Sequence, residues 1–192
     1  METQIDKDKT ALVVIDLQKG IAGMDVKPHA AAEVIANSAK IADAFRKNKM
    51  PVFLVHVGAS QDGKDRLNPI VDSPNPWGNR TPSEDWSDIV PEMGPEQGDQ
   101  VILKKQWGAF YGTDLDLQLR RRGINTIVLC GISTNIGVES TARFAFEYGY
   151  QQIFIEDACS AMSADQHKST VKNIFARIGR VRTTQDILDA LA

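Results

Sequence analysis

The chain has 192 residues, of which 42% are hydrophobic and 24% are charged, and its net charge is −3. This length and composition suit one globular domain with a sizeable core. Scattered positive charges argue against a nucleic-acid-binding face, no apolar run approaches the roughly 20 residues of a membrane span, and a pair of cysteines is too few for a disulfide scaffold. We therefore expect a cytoplasmic protein with neither a nucleic-acid partner nor a membrane partner.

Apolar runs alternate with helical patterns along the chain, which is typical of a parallel sheet with crossover helices. The runs are continuously apolar, as expected for strands covered on both faces. Strands are predicted at residues 11–15, 52–57, 101–103, 126–130, 152–155 and 180–182. Helices are predicted at residues 28–46 (with Pro28 in the first turn), 113–122, 134–148, 163–177 and 184–191.

Residues 58–100 interrupt this alternation. The segment holds six of the eight prolines, five glycines and two of the three tryptophans. Irregular loops of this length are uncommon in compact domains and are usually functional. One interpretation is a surface excursion that packs on itself. The other is a lid and subunit contact, in which Trp77 or Trp86 closes a pocket.

Three segments carry chemistry-bearing residues at the ends of predicted strands. Residues 13–18 read VVIDLQ, so Asp16 follows an apolar strand. Residues 101–115 contain Lys104 and then GAF and TDL, and residues 129–142 read LCGISTNIGVESTA. The last segment has the layout of an elbow, in which an apolar strand, a small-residue turn and a helix follow one another.

These three segments, in this order, are similar to the motifs of the cysteine hydrolases, the superfamily of nicotinamidases, carbamoyl-amidases and isochorismatases. The resemblance covers nearly the whole chain and implies one isochorismatase-like hydrolase domain over residues 1–192. It implies an α/β three-layer sandwich with a doubly wound, mainly parallel six-stranded sheet in the order 3-2-1-4-5-6. It also implies that residues 58–100 form part of the site and a homo-oligomer interface, in a dimer or a larger assembly.

The resemblance assigns the catalytic aspartate to Asp16 and the catalytic lysine to Lys104. The family lysine lies six residues before the phenylalanine of the A-F pair, which selects Lys104 rather than Lys105. A carboxylate after an apolar strand is costly to bury unless it is paired or neutral, so a cation beside Asp16 also makes physical sense. The nucleophilic cysteine of the family would fall at Gly137, which is therefore a vacated nucleophile position.

Further site residues follow from the same resemblance. In the family the peptide bond before the third residue of the elbow is cis, which here is Ile132–Ser133, and it turns backbone N–H groups towards an oxyanion. The residues expected to contact substrate are Gln18, Phe110, Ile132, Ser133 and Ile136.

The two cysteines and three histidines are expected to have mainly structural roles. Cys130 ends a buried strand and is predicted to be a core residue, whereas Cys159 is an alternative nucleophile at the pocket rim. No second histidine stands near His56 in the sequence, and His29 and His167 fall on predicted helix starts or faces. We therefore expect no metal site and no cofactor, with His56 in a hydrogen bond at the rim.

Without a thiol at position 137, the thioester route to amide hydrolysis is closed. Isochorismatases need no cysteine, and their aspartate protonates a vinyl-ether carbon, so the resemblance implies this chemistry for Asp16 and Lys104. Those enzymes have a tyrosine where this chain has Ser133 and a glutamine near Val57, so isochorismate itself is not predicted. The expected function is a hydrolase that acts on a small anionic or carbonyl-bearing molecule by aspartate general-acid catalysis. Two alternatives are a catalytically silent ligand-binding protein and an amidohydrolase that uses Cys159.

Overall fold

The fold is a six-stranded parallel sheet flanked by helices, as the sequence predicts. A computed structural model describes residues 3–73 and 83–192. The strand order is β3-β2-β1-β4-β5-β6, with every neighbouring pair parallel. The strands are β1 (Thr10–Ile15), β2 (Val52–Val57), β3 (Gln100–Lys104), β4 (Thr126–Ile132), β5 (Gln151–Ser160) and β6 (Arg180–Arg182). This order confirms the doubly wound topology.

The helices flank this sheet, and most of them occur where the sequence places them. They are α1 (Lys19–Ala22), α2 (Ala31–Lys47), α3 (Leu115–Arg121), α4 (Glu139–Glu147), α5 (Ala164–Thr170), α6 (Ala176–Ile178) and α7 (Thr184–Leu191). A capping box at Thr183 begins α7, because the Thr183 hydroxyl accepts from the Asp186 N–H while the Asp186 carboxylate accepts from the Thr183 N–H. None of the helices in the described part of the chain is long and apolar enough to cross a membrane.

Three helix predictions need correction. Helix α2 begins at Ala31 rather than at Pro28, because Lys27 is still paired with Ala161 in an isolated antiparallel bridge. The helix predicted over 134–148 is a π turn (Thr134–Val138) followed by α4. The helix predicted over 163–177 is likewise split, since a π turn (Val171–Phe175) separates α5 from α6. The sequence analysis also missed α1.

The core lies on both faces of the central strands. All six residues of β1 are buried, and residues 127–132 of β4 are buried beside them. On β5, the ring of Phe154 stacks on Phe175 with the centroids 4.0 Å apart. Because β1 and β4 are covered on both faces, only their carboxyl ends can offer functional groups to a ligand.

The segment 58–100 is anchored where it returns to the sheet. The backbone of residues 86–90 bonds to residues 17–20, and Trp86 packs against the core. Near its end, the Arg46 guanidinium donates to the Asp99 carboxylate at 2.7 Å and to the Met93 carbonyl at 2.7 Å. Three apolar side chains earlier in the segment are exposed, namely Leu67, Ile70 and Val71. The prediction for Trp77 lies outside the described residues.

Gly131 lets β4 pass close to the end of β1. Its φ is +125°, and a Cβ built on it would stand 2.0 Å from the Ile15 carbonyl oxygen. A side chain at this position would therefore push apart the two strands that carry the site.

We expect Gly131→Ala to lower the free energy of unfolding by at least about 3 kcal/mol. The new Cβ would clash with the Ile15 backbone, which is held in the sheet, and the positive φ adds backbone strain. Urea denaturation would measure the change. Gly23→Ala is the matched control, since a Cβ there meets nothing within 4 Å, and its effect should stay within about 0.5 kcal/mol. Equal stability of the two variants would contradict this account of the β1–β4 contact.

Candidate active site

Asp16 stands directly after β1, in a left-handed backbone conformation. Its φ is +56°, and its N–H donates to the Val55 carbonyl at 2.8 Å. Left-handed backbone is uncommon for a residue other than glycine, although aspartate tolerates it better than most, and such conformations concentrate at functional sites. This turn places the carboxylate at the edge of the sheet where the strands end. The side chain therefore does not continue the alternation of side chains along β1.

Lys104 ends β3 and reaches the Asp16 carboxylate past the end of β2. The Lys104 ammonium donates to Asp16 Oδ2 at 2.8 Å and also to the Trp107 carbonyl. Both side chains are almost completely buried, with 1% of the lysine and 7% of the aspartate side chain exposed. An ion pair this deeply buried persists only when each charge satisfies the other.

Gly137 faces this pair from the π turn after β4. A Cβ built on Gly137 would stand 2.9 Å from Asp16 Oδ2 and 3.3 Å from Lys104 Nζ. The Thr141 hydroxyl donates to the Gly137 carbonyl at 2.7 Å and accepts from the Ala109 N–H at 3.1 Å, which links the turn to the loop after β3. Three segments distant in sequence thus meet at one point.

Burial raises the pKa of Asp16 from 3.8 to about 6, although Lys104 and, more weakly, His56 act in the opposite direction. The second carboxylate oxygen, Oδ1, is buried and has no hydrogen-bond partner among the described residues. Near neutral pH a fraction of Asp16 is therefore protonated, and Oδ1 can carry that proton towards a ligand. A buried carboxyl group with a raised pKa beside an ammonium group is suited to proton transfer.

Comparison with known proteins assigns the family. The family model of the isochorismatase domain matches residues 10–186. The chain belongs to the isochorismatase family. The uncharacterised isochorismatase family protein YwoC of Bacillus subtilis is 55% identical over 185 residues, which are 96% of this chain and 95% of that protein.

A solved structure and a more distant relative extend the likeness. An isochorismatase family protein from Burkholderia thailandensis has 44% identity and a TM-score of 0.93, with 100% of this chain and 99% of that chain covered. The ureidoacrylate amidohydrolase RutB of Agrobacterium fabrum is 30% identical over 208 residues, which are 96% of this chain and 90% of that protein. The isochorismatase family thus includes proteins named for amide hydrolysis.

Gln18 and Phe110, two of the expected substrate contacts, have intramolecular partners. The Gln18 amide donates to the carbonyls of Val57 and Trp86 and accepts from the Val57 N–H, so it holds β2 and residue 86 against the end of β1. The Phe110 ring is buried between Tyr148 and Tyr150. Contact of these two side chains with substrate stays a prediction.

The other expected contacts lie along the elbow. The peptide bond between Ile132 and Ser133 is cis, as the family resemblance implies. The Ser133 carbonyl accepts from the N–H groups of Ile136 and Val138, which closes the π turn that carries Gly137. Ser133 and Ile136 are half-buried, whereas Ile132 is fully buried. Contact of these three residues with substrate stays a prediction.

The two thiols are enclosed in the sheet. Cys130 and Cys159 are both fully buried, and burial raises the pKa of Cys130 to about 12 and that of Cys159 well above 9.0. A thiol must ionise to act as a nucleophile, and neither thiol meets that condition. Cys159 pairs with Gly131 inside the sheet rather than lying at the pocket rim, which corrects the expected position.

The histidines are arranged differently from the expectation. His56 Nδ1 lies 2.7 Å from the Ser87 carbonyl oxygen, which is the hydrogen bond predicted for it. His29 and His167, however, meet at Glu156, and together these side chains form a group with metal-ligand chemistry. The sequence analysis missed this group because its members come from three distant segments that only the fold brings together.

The Asp16 pKa should depend on Lys104. In Lys104→Met, the ionic and hydrogen-bond effects that lower this pKa disappear, so it should rise above its value of about 6. Because the folded-state pKa exceeds 3.8, folding takes up a proton, and the free energy of unfolding falls as pH rises from about 4 to about 6. In the variant this fall should extend to higher pH. Carbon-13 titration of the aspartate carboxyls and unfolding at several pH values would measure both effects.

Lys105→Met is the matched control, since the exposed Lys105 pairs with Asp65 at 2.8 Å. This variant should leave the titration of Asp16 unchanged. An Asp16 pKa in Lys104→Met at or below the wild-type value would contradict the assigned pairing.

Proposed function

We propose that this protein is an isochorismatase-like hydrolase that acts by general-acid catalysis from Asp16 without a cysteine nucleophile. The observation that carries the proposal is the contact of Gly137 with the Asp16–Lys104 pair. The position that the family resemblance assigns to the nucleophile has no side chain, and a Cβ built on it would stand 2.9 Å from Asp16 Oδ2. Asp16 instead offers a buried Oδ1 and a pKa of about 6, as a proton donor requires.

In this proposal the substrate carries an enol ether. Asp16 donates its proton from Oδ1 to the terminal alkene carbon, and the ether oxygen stabilises the resulting oxocarbenium ion. Lys104 stabilises the carboxylate that Asp16 leaves behind. Water adds to the cationic carbon and returns a proton to Asp16, and the hemiketal then breaks its bond to the leaving oxygen. The products are an alcohol and a methyl ketone, so one water is consumed per turnover.

The substrate class follows from the same residues. In this proposal the Lys104 ammonium favours an anionic or carbonyl-bearing molecule. Ser133 replaces the tyrosine that the resemblance implies for isochorismatases, and Val57 replaces their glutamine. We therefore propose a substrate other than isochorismate. We also propose a homo-oligomer contact through residues 58–100, which the exposed side chains of Leu67, Ile70 and Val71 support. The proposed enzyme is cytoplasmic.

A second candidate is amide hydrolysis, which the name of the relative RutB favours. Amide hydrolysis through a thioester intermediate needs a cysteine thiolate beside Asp16 and Lys104. Cys130 and Cys159 are buried with raised pKa values, which argues against either thiol in this role. The third candidate is a catalytically silent binding protein. It is less favoured because ligand binding alone does not require a buried ion pair, which is costly.

Turnover screening against enol ethers, amides and ureas, with ligand-induced shifts in Tm recorded in parallel, separates the three candidates. We expect hydrolysis of an enol ether that bears a carboxylate. Hydrolysis of amides alone would favour the amidohydrolase, and binding without turnover would favour the silent protein.

On a substrate found in this way, Asp16→Asn should lower kcat by at least about 100-fold, because loss of a general acid typically costs 10² to 10⁴ in rate. Ligand-induced Tm shifts should persist, since the amide keeps the size of the carboxyl group. Asp25→Asn, at a carboxylate 86% exposed, is the control and should keep the wild-type rate. Activity of Asp16→Asn near the wild-type level would make Asp16 structural.

The double variant Cys130→Ala, Cys159→Ala should keep its rate within about threefold and lose stability only, because truncating buried side chains leaves cavities. Labelling native protein with iodoacetamide, followed by mass spectrometry, should find neither thiol modified. An adduct on Cys159 together with lost activity would instead support the amidohydrolase.

A further inference from the structure

Two histidines and a glutamate converge away from the Asp16–Lys104 pair. His29 precedes α2, Glu156 lies in β5, and His167 lies in α5. Glu156 Oε1 is 3.4 Å from His167 Nε2 and 3.7 Å from His29 Nε2, and one ligand atom from each residue lies within 4.8 Å of the others. We refer to these three residues as the His-Glu-His cluster.

The spacing suits ligands of one metal ion, although His167 Nε2 and Glu156 Oε1 also form a long hydrogen bond of 3.4 Å. Hydrogen bonds to a carboxylate are shorter, at roughly 2.7–2.9 Å. Ligands at about 2.0–2.1 Å from a tetrahedral zinc ion lie roughly 3.3–3.4 Å from one another. The two nitrogen–oxygen separations, 3.4 and 3.7 Å, are close to that value. His29 Nε2 is also buried without a hydrogen-bond partner among the described residues.

The Nδ1 atoms of both rings have polar neighbours. His167 Nδ1 is hydrogen-bonded to the Thr134 hydroxyl at 2.9 Å, and His29 Nδ1 lies 3.5 Å from the Glu33 carboxylate. In the tautomer that carries the proton on Nδ1, the Nε2 lone pair of each ring is available to a metal ion. Partners of this kind orient the imidazoles before an ion arrives.

The backbone around the cluster is also held in place. The Ser160 hydroxyl accepts from the His29 N–H at 3.0 Å and donates to the His29 carbonyl at 2.6 Å. The Thr170 hydroxyl donates to Glu139 at 2.7 Å, which ties α5 to α4. Little rearrangement would be needed to close the ligands around an ion.

We propose that His29, Glu156 and His167 bind one divalent transition-metal ion through two imidazoles and one carboxylate. This ligand set leaves a fourth position for water or a ligand, as in catalytic zinc centres. The ion joins the segment before α2, β5 and α5. Through the His167–Thr134 contact, it also fixes the first residue of the π turn that carries Gly137. The proposal is independent of the proposed reaction, since binding needs no substrate.

The test uses the full chain without a histidine tag, stripped with a chelator and titrated with zinc chloride against a chromophoric zinc indicator. We expect one zinc ion per chain with micromolar or tighter affinity, together with a rise in Tm, because an ion that binds only the folded state stabilises it. Cobalt(II) in place of zinc should give the visible absorption of a low-coordinate site. Absence of saturable 1:1 binding would overturn the proposal.

Three single variants test the ligands. His29→Gln, Glu156→Gln and His167→Gln should each weaken zinc binding at least about 100-fold, since even residues behind the ligands contribute 10- to 100-fold. His56→Gln is the matched control, because His56 is the remaining histidine and bonds to Ser87 instead, so zinc affinity should be unchanged. Circular dichroism checks folding, and the half-buried His29 and Glu156 decide the result if His167→Gln unfolds. Unchanged zinc affinity in His29→Gln and Glu156→Gln would overturn the assignment.

Discussion

The candidate site depends on the ion pair between Lys104 and Asp16. Asp16 follows β1 and Lys104 ends β3, with β2 between them, so the two side chains together bridge about two strand spacings, roughly 9.5 Å, and meet at 2.8 Å. Either charge alone would be costly in so buried a place. The pair therefore fixes the ends of three strands relative to one another. The left-handed backbone of Asp16 and the hydrogen bonds of the Gln18 amide help to hold the same strand ends in place.

The elbow after β4 is shaped around this pair. Gly131 permits close contact with Ile15, and Gly137 lets the elbow approach the Asp16 carboxylate so closely that a Cβ there would stand 2.9 Å from Oδ2. Competing demands on Asp16 then determine its chemistry, because burial favours the neutral acid whereas Lys104 favours the anion. Burial is the larger of these effects, so the pKa of Asp16 rises to about 6.

The sequence predicted the central strands well because β1 and β4, which are buried, leave continuous apolar runs, and all six predicted strands occur. Asp16, Lys104 and Gly137 were selected through motif spacing, and the fold brings them together. Local patterns do not report the hydrogen-bond register that places a π turn within each of two predicted helices, or the pairing of Lys27 with Ala161 just before α2. The His-Glu-His cluster was missed for a different reason, since residues 29, 156 and 167 become neighbours only after β5 and α5 are packed.

The place of the segment 58–100 in the topology has a consequence for how the family can diversify. Asp16 comes before this segment and Lys104 after it, while β2 and β3 remain paired along five residues whatever lies between them. The C-terminal part of the segment is held in place by the backbone hydrogen bonds of residues 86–90 and by the contact of Arg46 with Asp99. Changes in the length of such a loop cost little, because closure entropy grows only with the logarithm of loop length. The loop can therefore change in length and sequence while the Asp16–Lys104 pair stays fixed at the end of the sheet.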